Sequence, residues 1–369
     1  MKKLIFRKIN KDTLYLFLLL SLSLGLIVWT IQAVNYLDYV TQDGHGLETY
    51  LLYSIYNFPK IINRLIPFVF FVSLFLILTN YETKNELLIF WTNGVTKVKF
   101  ANRLIFISII LLIIQIIIGG FISPYFQLKS RTLLKESNID FFSSLVKEGK
   151  FINAVKGLTI FIDKKNFDGS FNNIFIDDSS KQNTKMTYAS KGSILDKNRS
   201  KVFRLYDGKV INKNKNKINV FAFDRIDINL SDYSTNTMLT PKIQETSSKN
   251  LISCYITHFY KQKDTVSRNC DTSIIKEIKQ EVFKRFYKPI YIPILAIVCS
   301  FLIILPKNNN KYSSQSRLTF LFGLGVLIFS ETTLRYSSEN LYSTFIYLLA
   351  PWIIFITTYL LFYLKVKNV

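Results

Sequence analysis

The chain has 369 residues, of which 49 % are hydrophobic and 15 % aromatic, and this is more than a soluble domain usually contains. The net charge of +22 does not by itself indicate a nucleic-acid-binding protein, because many of the lysines are scattered among Asn, Ile and Phe as a biased composition would place them. Neither His45 nor His258 has a partner at ligand spacing, so no metal site is predicted, and no nucleotide-binding glycine loop occurs.

Long apolar runs predict six transmembrane helices. The first run, 13–34, is long enough at about 1.5 Å per residue to cross a hydrocarbon core of about 30 Å. It follows a basic start but is too long for a signal peptide, and no cleavage site follows it. A break is predicted at Pro59, before the second span, and a stop at Ser123-Pro124, after the third. The remaining spans are predicted at 61–78, 100–121, 287–305, 318–333 and 341–364.

The middle of the chain changes to a period-two pattern, which is typical of β strands. Near-regular spacing of short strands favours an antiparallel sandwich or jelly roll, and Asp207-Gly208 predicts a hairpin turn. The strands are predicted at 159–163, 170–176, 187–195, 202–211 and 218–230.

The predicted fold class is an α-helical membrane protein with six transmembrane helices, three on each side of an inserted all-β jellyroll domain. The predicted domains are 1–125, 126–286 and 287–369, with spans in the first and last and the β domain with flanking helices in the middle.

The charges of the short loops predict the orientation. Basic residues gather at the N-terminus, in alternate loops and at the end of the chain, whereas the other short loops are mainly acidic. Since excess Lys and Arg stay in the cytoplasm, both termini and the loop after the second span are expected to be cytoplasmic, with the β domain outside. The basic loop residues are Lys84, Lys97, Lys99, Arg103, Lys307, Lys311, Arg317, Lys365 and Lys367.

Two polar features are candidates for function. The first is a short amphipathic helix at about 82–94, which carries Glu86 and ends at Asn93-Gly94. Glu86 is either a solvated surface charge or a contact for a cytoplasmic motor subunit. The second is the set of charges where the second and fifth spans reach the outer surface, which either line a cavity or anchor helix ends: Lys60, Arg64, Glu331 and Arg335.

The three cysteines suggest structural roles rather than chemistry. Cys299 lies in an apolar run and is interpreted as a small buried residue. Cys254 and Cys270 lie outside the spans, and they are candidates for a disulfide if that part of the chain faces an oxidising compartment.

The segment order and three local motifs resemble the LptF/LptG permeases of the lipopolysaccharide export ABC transporter. The motifs are the loop segment 85–96, the acidic-x-x-basic-Arg and Pro pattern of 281–289, and the Asp-Gly strand pattern of 203–208. Residues 148–151 resemble the LptF branch more than the LptG branch.

The resemblance implies a non-catalytic subunit without a cofactor of its own in the bacterial inner membrane. Its partners would be a paralogous permease subunit, a dimer of the cytoplasmic ATPase LptB and the bridge protein LptC, and its cargo would be lipopolysaccharide. It places ATPase coupling on Glu86, Leu87, Phe90, Trp91 and Gly94. Where family members carry a basic residue near the outer end of the first span, this chain has Gln32, Asn35 and Asp38, so Lys60, Arg64 and Arg335 are the substitute headgroup contacts.

Two other interpretations remain open at this point. A membrane-anchored assembly or sensor protein would use the β domain to bind a periplasmic partner. An exporter of another lipid or of a lipoprotein would share the transport mechanism but not the cargo.

Overall fold

The computed structural model describes residues 2–37, 47–145, 148–155, 158–166, 169–179, 184–197, 200–214, 217–229, 242–259 and 274–367. The helices in this part of the chain are α1 Lys2–Tyr36, α2 Leu47–Thr83, α3 Glu86–Thr92, α4 Lys97–Ile117, α5 Ser123–Leu145, α6 Ser248–Phe259, α7 Ile275–Val282, α8 Tyr291–Ser300, α9 Tyr312–Tyr336 and α10 Leu341–Lys367.

Six helical segments of the described chain are long and apolar enough to cross a membrane, as judged by length and composition. Together with a separate antiparallel sheet in the middle of the chain, they confirm the prediction of a helical membrane protein with an inserted β domain. The segments are Phe6–Tyr36, Leu47–Thr83, Lys97–Leu134, Ile275–Ile303, Tyr312–Tyr336 and Leu341–Lys367.

The chain divides into two compact units. One unit comprises Met1–Ile31, Asn57–Leu128 and Lys242–Val369, and the other comprises Gln32–Tyr56 and Lys129–Pro241. Helices α6 and α7 therefore belong with the membrane helices, whereas the sequence grouped them with the β domain.

Helix α8 forms the centre of the first unit. All of its residues are buried, and it packs against α4, α9 and α10. A helix that is apolar on every side is stable only when other elements surround it. The close packing of α9 against α2 depends on Gly323 of α9, since a Cβ at that position would lie 2.1 Å from the ring of Phe71 on α2.

The predicted break at Pro59 is wrong, because α2 runs without interruption through Pro59 and Pro67. Proline removes one backbone hydrogen bond from a helix. In α2 the neighbouring turns are fixed by packing, since Asn57 and Ile61 are both buried. Membrane helices accept proline where surrounding groups compensate for the lost bond.

The predicted stop at Ser123-Pro124 is also wrong. Helix α4 continues through a π-helical turn, Ile118–Ile122, into α5. Pro124 has no N–H to offer to the carbonyl of Gly120, four residues earlier. The hydroxyl of Ser248 donates a hydrogen bond to that carbonyl instead, so a side chain from α6 satisfies the group that proline leaves free.

The second unit contains a six-stranded antiparallel sheet whose strands follow one another in sequence order. This order is a meander, and the Greek-key connections of a jelly roll are not among the described strands. One face is buried by residues that include Ile162, Phe171, Ile174, Phe203 and Leu205. The strands are β1 Lys150–Val155, β2 Leu158–Lys165, β3 Ser170–Asp178, β4 Thr184–Lys197, β5 Ser200–Asn214 and β6 Lys217–Asn229.

The predicted hairpin turn at Asp207-Gly208 is wrong, because both residues lie inside β5. Tyr206 pairs with Arg225 of β6 and Gly208 pairs with Phe223, so the register continues past Asp207. Asp207 itself has a φ of 48°, which is left-handed backbone that asparagine and aspartate adopt more readily than most residues.

The same irregularity crosses the neighbouring strands and forms a crease in the sheet. Asn173 of β3 has a φ of 50° and occupies the corresponding position two strands from Asp207. The crease shifts the alternation of buried residues by one position. In β5, Leu205 before the crease and Val210 after it are both buried, although their positions along the strand differ by an odd number. The crease residues are Asp163, Asn173, Ser190, Asp207 and Asp224.

Candidate functional site

The loop between the second and third spans contains α3, whose ends are fixed by backbone geometry. Asn85, at its start, has a φ of 56°, and Gly94, just after its end, has a φ of 71°. The N–H of Gly94 donates to the carbonyl of Trp91, and the N–H of Val95 donates to that of Phe90. These two bonds form the Schellman motif, so the predicted helix stop at Asn93-Gly94 is confirmed.

One face of α3 packs into the helical core. Leu87 and Phe90 are 2 % and 3 % exposed. The Phe90 ring lies 5.9 Å from that of Tyr81 at the end of α2 and 5.4 Å from that of Phe100 in α4, measured between centroids. A seven-residue helix is too short to be stable alone, so this packing holds α3 in place.

The other face of α3 presents two large apolar side chains to the surroundings. Leu88 and Ile89 are each 56 % exposed, and Thr92 is exposed beside them. The sequence analysis placed coupling on Leu87 and Phe90, among others, and chose neither Leu88 nor Ile89 as a site residue. The fold separates these residues into a buried anchor and an exposed apolar pair.

Glu86 is not a free surface charge. Its carboxylate lies 2.6 Å from the ammonium group of Lys8 in α1, and it is 23 % exposed. Lys8 also lies 5.6 Å from the centroid of the Tyr81 ring, and the hydroxyl of Tyr81 donates to the carboxylate of Asp12 at 2.5 Å. The first span is therefore tied to the start of α3 through a short polar chain.

The turn before α9 reaches the same end of the bundle. The ammonium group of Lys97 donates to the carbonyl of Ile304 at 2.8 Å, and the N–H of Lys307 donates to the carboxylate of Glu82 at 2.7 Å. A displacement of α3 and its flanking residues would therefore act on the first span and on the segment that joins the fourth and fifth spans.

The predicted headgroup residues are distributed differently. Lys60 and Arg64 are exposed on successive turns of α2. Lys60 and Lys284 are close enough for their positive charges to repel each other. Lys288 is likewise close enough to be repelled by Arg64 and Lys284. Lys284 and Lys288 thus join the two α2 residues in a basic cluster. Neither was chosen as a headgroup residue, because more than two hundred positions separate them from α2 in the sequence.

Acidic side chains compensate part of this basic cluster. Lys288 forms an ion pair with Glu331 of α9, and Lys284 lies 3.0 Å from Glu281. Arg335, the third predicted headgroup residue, is exposed one turn after Glu331. Within the basic cluster, the exposed side chains are Lys60, Arg64 and Lys284, whereas Lys288 is largely buried.

The remaining candidates concern cysteines and metals. Cys254 is buried in α6, whereas Cys270 lies outside the described residues, so their pairing stays a prediction. Cys299 is buried and free. In the described ranges, no group of three or more His, Cys, Asp or Glu side chains is arranged to hold a metal ion.

Comparison with known proteins identifies the family. Residues 7–365 match the family described as "Lipopolysaccharide export system permease LptF/LptG". The chain belongs to the LptF/LptG permease family. The uncharacterized protein RP871 of Rickettsia prowazekii (strain Madrid E) is 25 % identical over 304 residues, which cover 80 % of this chain and 81 % of that protein.

Membership of the LptF/LptG family gives the chain a coarse function. It is a multi-pass membrane protein with a permease role in lipopolysaccharide export. The match extends over all six spans and the sheet, so the loop helix α3, its exposed pair and the basic cluster are all parts of the permease.

Proposed function

We propose that this chain is the transmembrane subunit of an ABC transporter that extracts lipopolysaccharide from the bacterial inner membrane and passes it to a periplasmic bridge. It pairs with a paralogous permease subunit, is driven by a cytoplasmic dimer of the ATPase LptB, and delivers lipid through LptC. The chain itself is not an enzyme. The observation that carries the proposal is the exposed pair Leu88 and Ile89 on a helix that its buried face fixes to the transmembrane helices.

The exposed pair is the docking element for the ATPase. An apolar pair that is open to the cytoplasm is stabilised when a partner covers it, at roughly 25 cal/mol for each Å² removed from water. Because Leu87 and Phe90 fix α3 to the ends of α2 and α4, a push on the pair moves the transmembrane helices. Of the residues first assigned to coupling, Leu87 and Phe90 position the helix, and Gly94 ends it.

Glu86 transmits the movement to the first span through Lys8. The ion pair between Glu86 and Lys8 is short but partly exposed to solvent, so its own contribution to the stability of the protein is small. Its importance is mechanical, since it joins α3 directly to the first span.

The orientation supports a cytoplasmic motor. The basic residues of the short loops favour a cytoplasmic position for α3. One apolar span, Lys97–Leu134, separates α3 from the sheet along the chain, which supports the proposal that the β domain is periplasmic.

The basic cluster on α2 and the segment before α8 is the headgroup site. Lys60 precedes Thr83, the end of α2 next to α3, by roughly 35 Å of helix, and this length supports a position near the periplasmic surface in the proposed orientation. Exposed cations at that depth meet the phosphates of lipopolysaccharide while its acyl chains stay in the bilayer. Arg335, at the end of α9, is a further contact from the fifth span.

The docking role is tested by purification of the full chain with its partners. The double substitution L88D/I89D places charge on the exposed pair, so the amount of ATPase recovered per permease should fall at least tenfold. The matched control L88M/I89V keeps both positions apolar and should keep the ATPase. Normal recovery with L88D/I89D would disprove docking, and a native complex without any ATPase would favour an assembly or sensor protein.

The coupling role is tested in reconstituted vesicles. Glu86→Ala should keep the complex intact and keep ATP hydrolysis, but lower lipid release per ATP. Lys8→Met breaks the same ion pair from the other side. If Glu86 acts through the first span, both variants should lose coupling to a similar extent, whereas an effect of Glu86→Ala alone would assign Glu86 to the ATPase interface.

A further inference from the structure

A cavity of about 730 Å³ lies between the last three spans. It is an open groove lined by α8 with its continuation to Leu305, by the first half of α9 and by the last half of α10. This volume falls within the range of about 300–1,000 Å³ that is typical of ligand sites. Its wall is mainly apolar and includes Val298, Phe301, Leu318, Phe322 and Leu361.

The cavity is basic at one end. Lys311, at the start of α9, and Lys365, near the end of α10, both belong to its wall and are both exposed. The ammonium group of Lys365 lies 5.8 Å from the centroid of the Phe301 ring, which places it over the mouth of the apolar part. Ser314, in the first turn of α9, also belongs to the cavity wall, and that turn carries no acidic residue.

This end of the cavity is formed by two segments whose charged residues are all basic, although the carboxylate of Glu82, from α2, accepts a hydrogen bond from the backbone N–H of Lys307 there. The two segments that form it, 304–320 and 358–369, contain Lys307, Lys311, Arg317, Lys365 and Lys367 but no Asp or Glu. An anion at the mouth of the cavity meets the ammonium groups of Lys311 and Lys365, and neither segment carries a carboxylate to compete with it.

Contacts inside the bundle show which end of the helices this is. The turn that leads to Lys311 is bonded to the loop around α3, through Lys97 to the carbonyl of Ile304 and through the N–H of Lys307 to Glu82. The cavity mouth therefore opens at the same end as α3, and it is separated from Lys60 by most of the length of α2. It is distinct from the basic cluster described above.

We propose that this cavity binds an anionic phospholipid from the membrane leaflet on the side of α3. One acyl chain occupies the apolar part between α9 and α10, and the phosphate lies between the ammonium groups of Lys311 and Lys365. A groove that faces the hydrocarbon core is filled by acyl chains in any case, so the two lysines provide the selectivity for an anionic headgroup over a zwitterionic one. The inference does not depend on which lipid the permease exports.

The site is tested by native mass spectrometry of the purified full-length complex, after reconstitution in nanodiscs of phosphatidylcholine with phosphatidylglycerol. The wild type should retain phosphatidylglycerol in preference to phosphatidylcholine. The variant K311Q/K365Q should bind it about 25-fold more weakly, since each lysine near an anionic phosphate contributes about a factor of five. The control K307Q/K367Q removes the same charge outside the cavity wall and should retain the lipid.

A second variant tests the apolar part. Leu361→Trp narrows the cavity and keeps both lysines, so it should also lower the retained phosphatidylglycerol, while gel filtration shows an intact complex. Undiminished lipid in K311Q/K365Q would overturn the proposal, as would equal losses in K307Q/K367Q. Loss of the ATPase or of the paired permease from K311Q/K365Q, with the lipid retained, would also overturn it and would assign this surface to a protein partner.

Discussion

At the scale of single residues, Arg285 is a buried charge with hydrogen bonds to several groups. It is 3 % exposed, and its Nε donates to Glu281 at 3.0 Å. Its terminal nitrogens donate to the carbonyls of Thr246 and Gln244 and to the hydroxyl of Ser248 at 2.9–3.0 Å. Since Ser248 donates to Gly120, this arginine supports the chain of bonds that compensates for Pro124.

We expect Arg285→Met to destabilise the protein by about 3–5 kcal/mol, because it removes the buried partner of Glu281 and leaves the carbonyls of Thr246 and Gln244 without their donor. The neighbouring substitution Lys284→Met removes a cation from the same carboxylate, but Lys284 is 43 % exposed. Its cost should be no more than about 1 kcal/mol. Thermal unfolding of both variants in the same nanodiscs measures the difference, and equal effects would contradict a structural role for Arg285.

At the scale of elements, the orientation of α3 depends on how the helix ends. The left-handed residue Gly94 closes the Schellman motif and directs the chain into α4, where the hydroxyl of Thr96 accepts from the N–H of Lys99. This ending sets the angle at which Leu88 and Ile89 are presented.

Gly94→Ala introduces a Cβ at a φ of 71°, which costs about 1 kcal/mol. We expect a lower unfolding temperature and weaker retention of the ATPase. Gly325→Ala is the matched control, because it lies within α9, where an added Cβ meets no atom within 4 Å and a helical alanine is favourable. An unchanged Gly94→Ala variant would show that α3 does not need this backbone conformation.

At the scale of the whole molecule, the topology predicts which side of the membrane each loop faces. Single cysteines placed at Lys84 and at Asp207 in a cysteine-free chain should react from opposite sides of sealed vesicles. Lys84 should react with an impermeant maleimide only where the cytoplasmic face is exposed, and Asp207 only from the periplasmic face. Labelling of both from one side would disprove the proposed orientation.

If the proposed orientation is right, Cys254 and Cys270 belong to a part of the chain that faces an oxidising compartment, where a disulfide is stable. After denaturation without a reductant, we expect the protein to take up one alkylating group, at the free residue Cys299. After reduction it should take up a group on each of its three cysteines. Mass spectrometry distinguishes the two results, and uptake at all three without reduction would exclude the disulfide.

The sequence by itself determined the features that one segment can encode alone. A bilayer requires about twenty apolar residues for each span, so hydropathy was sufficient to find the six helices. The end of α3 was predictable because Gly94 acts through its own backbone. Strand positions in the sheet were also largely predictable, because the period-two pattern lies within each strand segment. The exception is β1, which this pattern did not reveal.

Only the tertiary structure decided features that depend on distant parts of the chain. Pro59 and Pro124 stop a helix unless neighbouring packing, or a bond such as that from Ser248, compensates for the missing N–H. Asp207-Gly208 became part of a crease because adjacent strands repeat the irregularity. The division of α3 into a buried face and the exposed pair Leu88 and Ile89 was decided by the rings of Tyr81 and Phe100, since a short apolar sequence does not specify which of its sides other helices will cover.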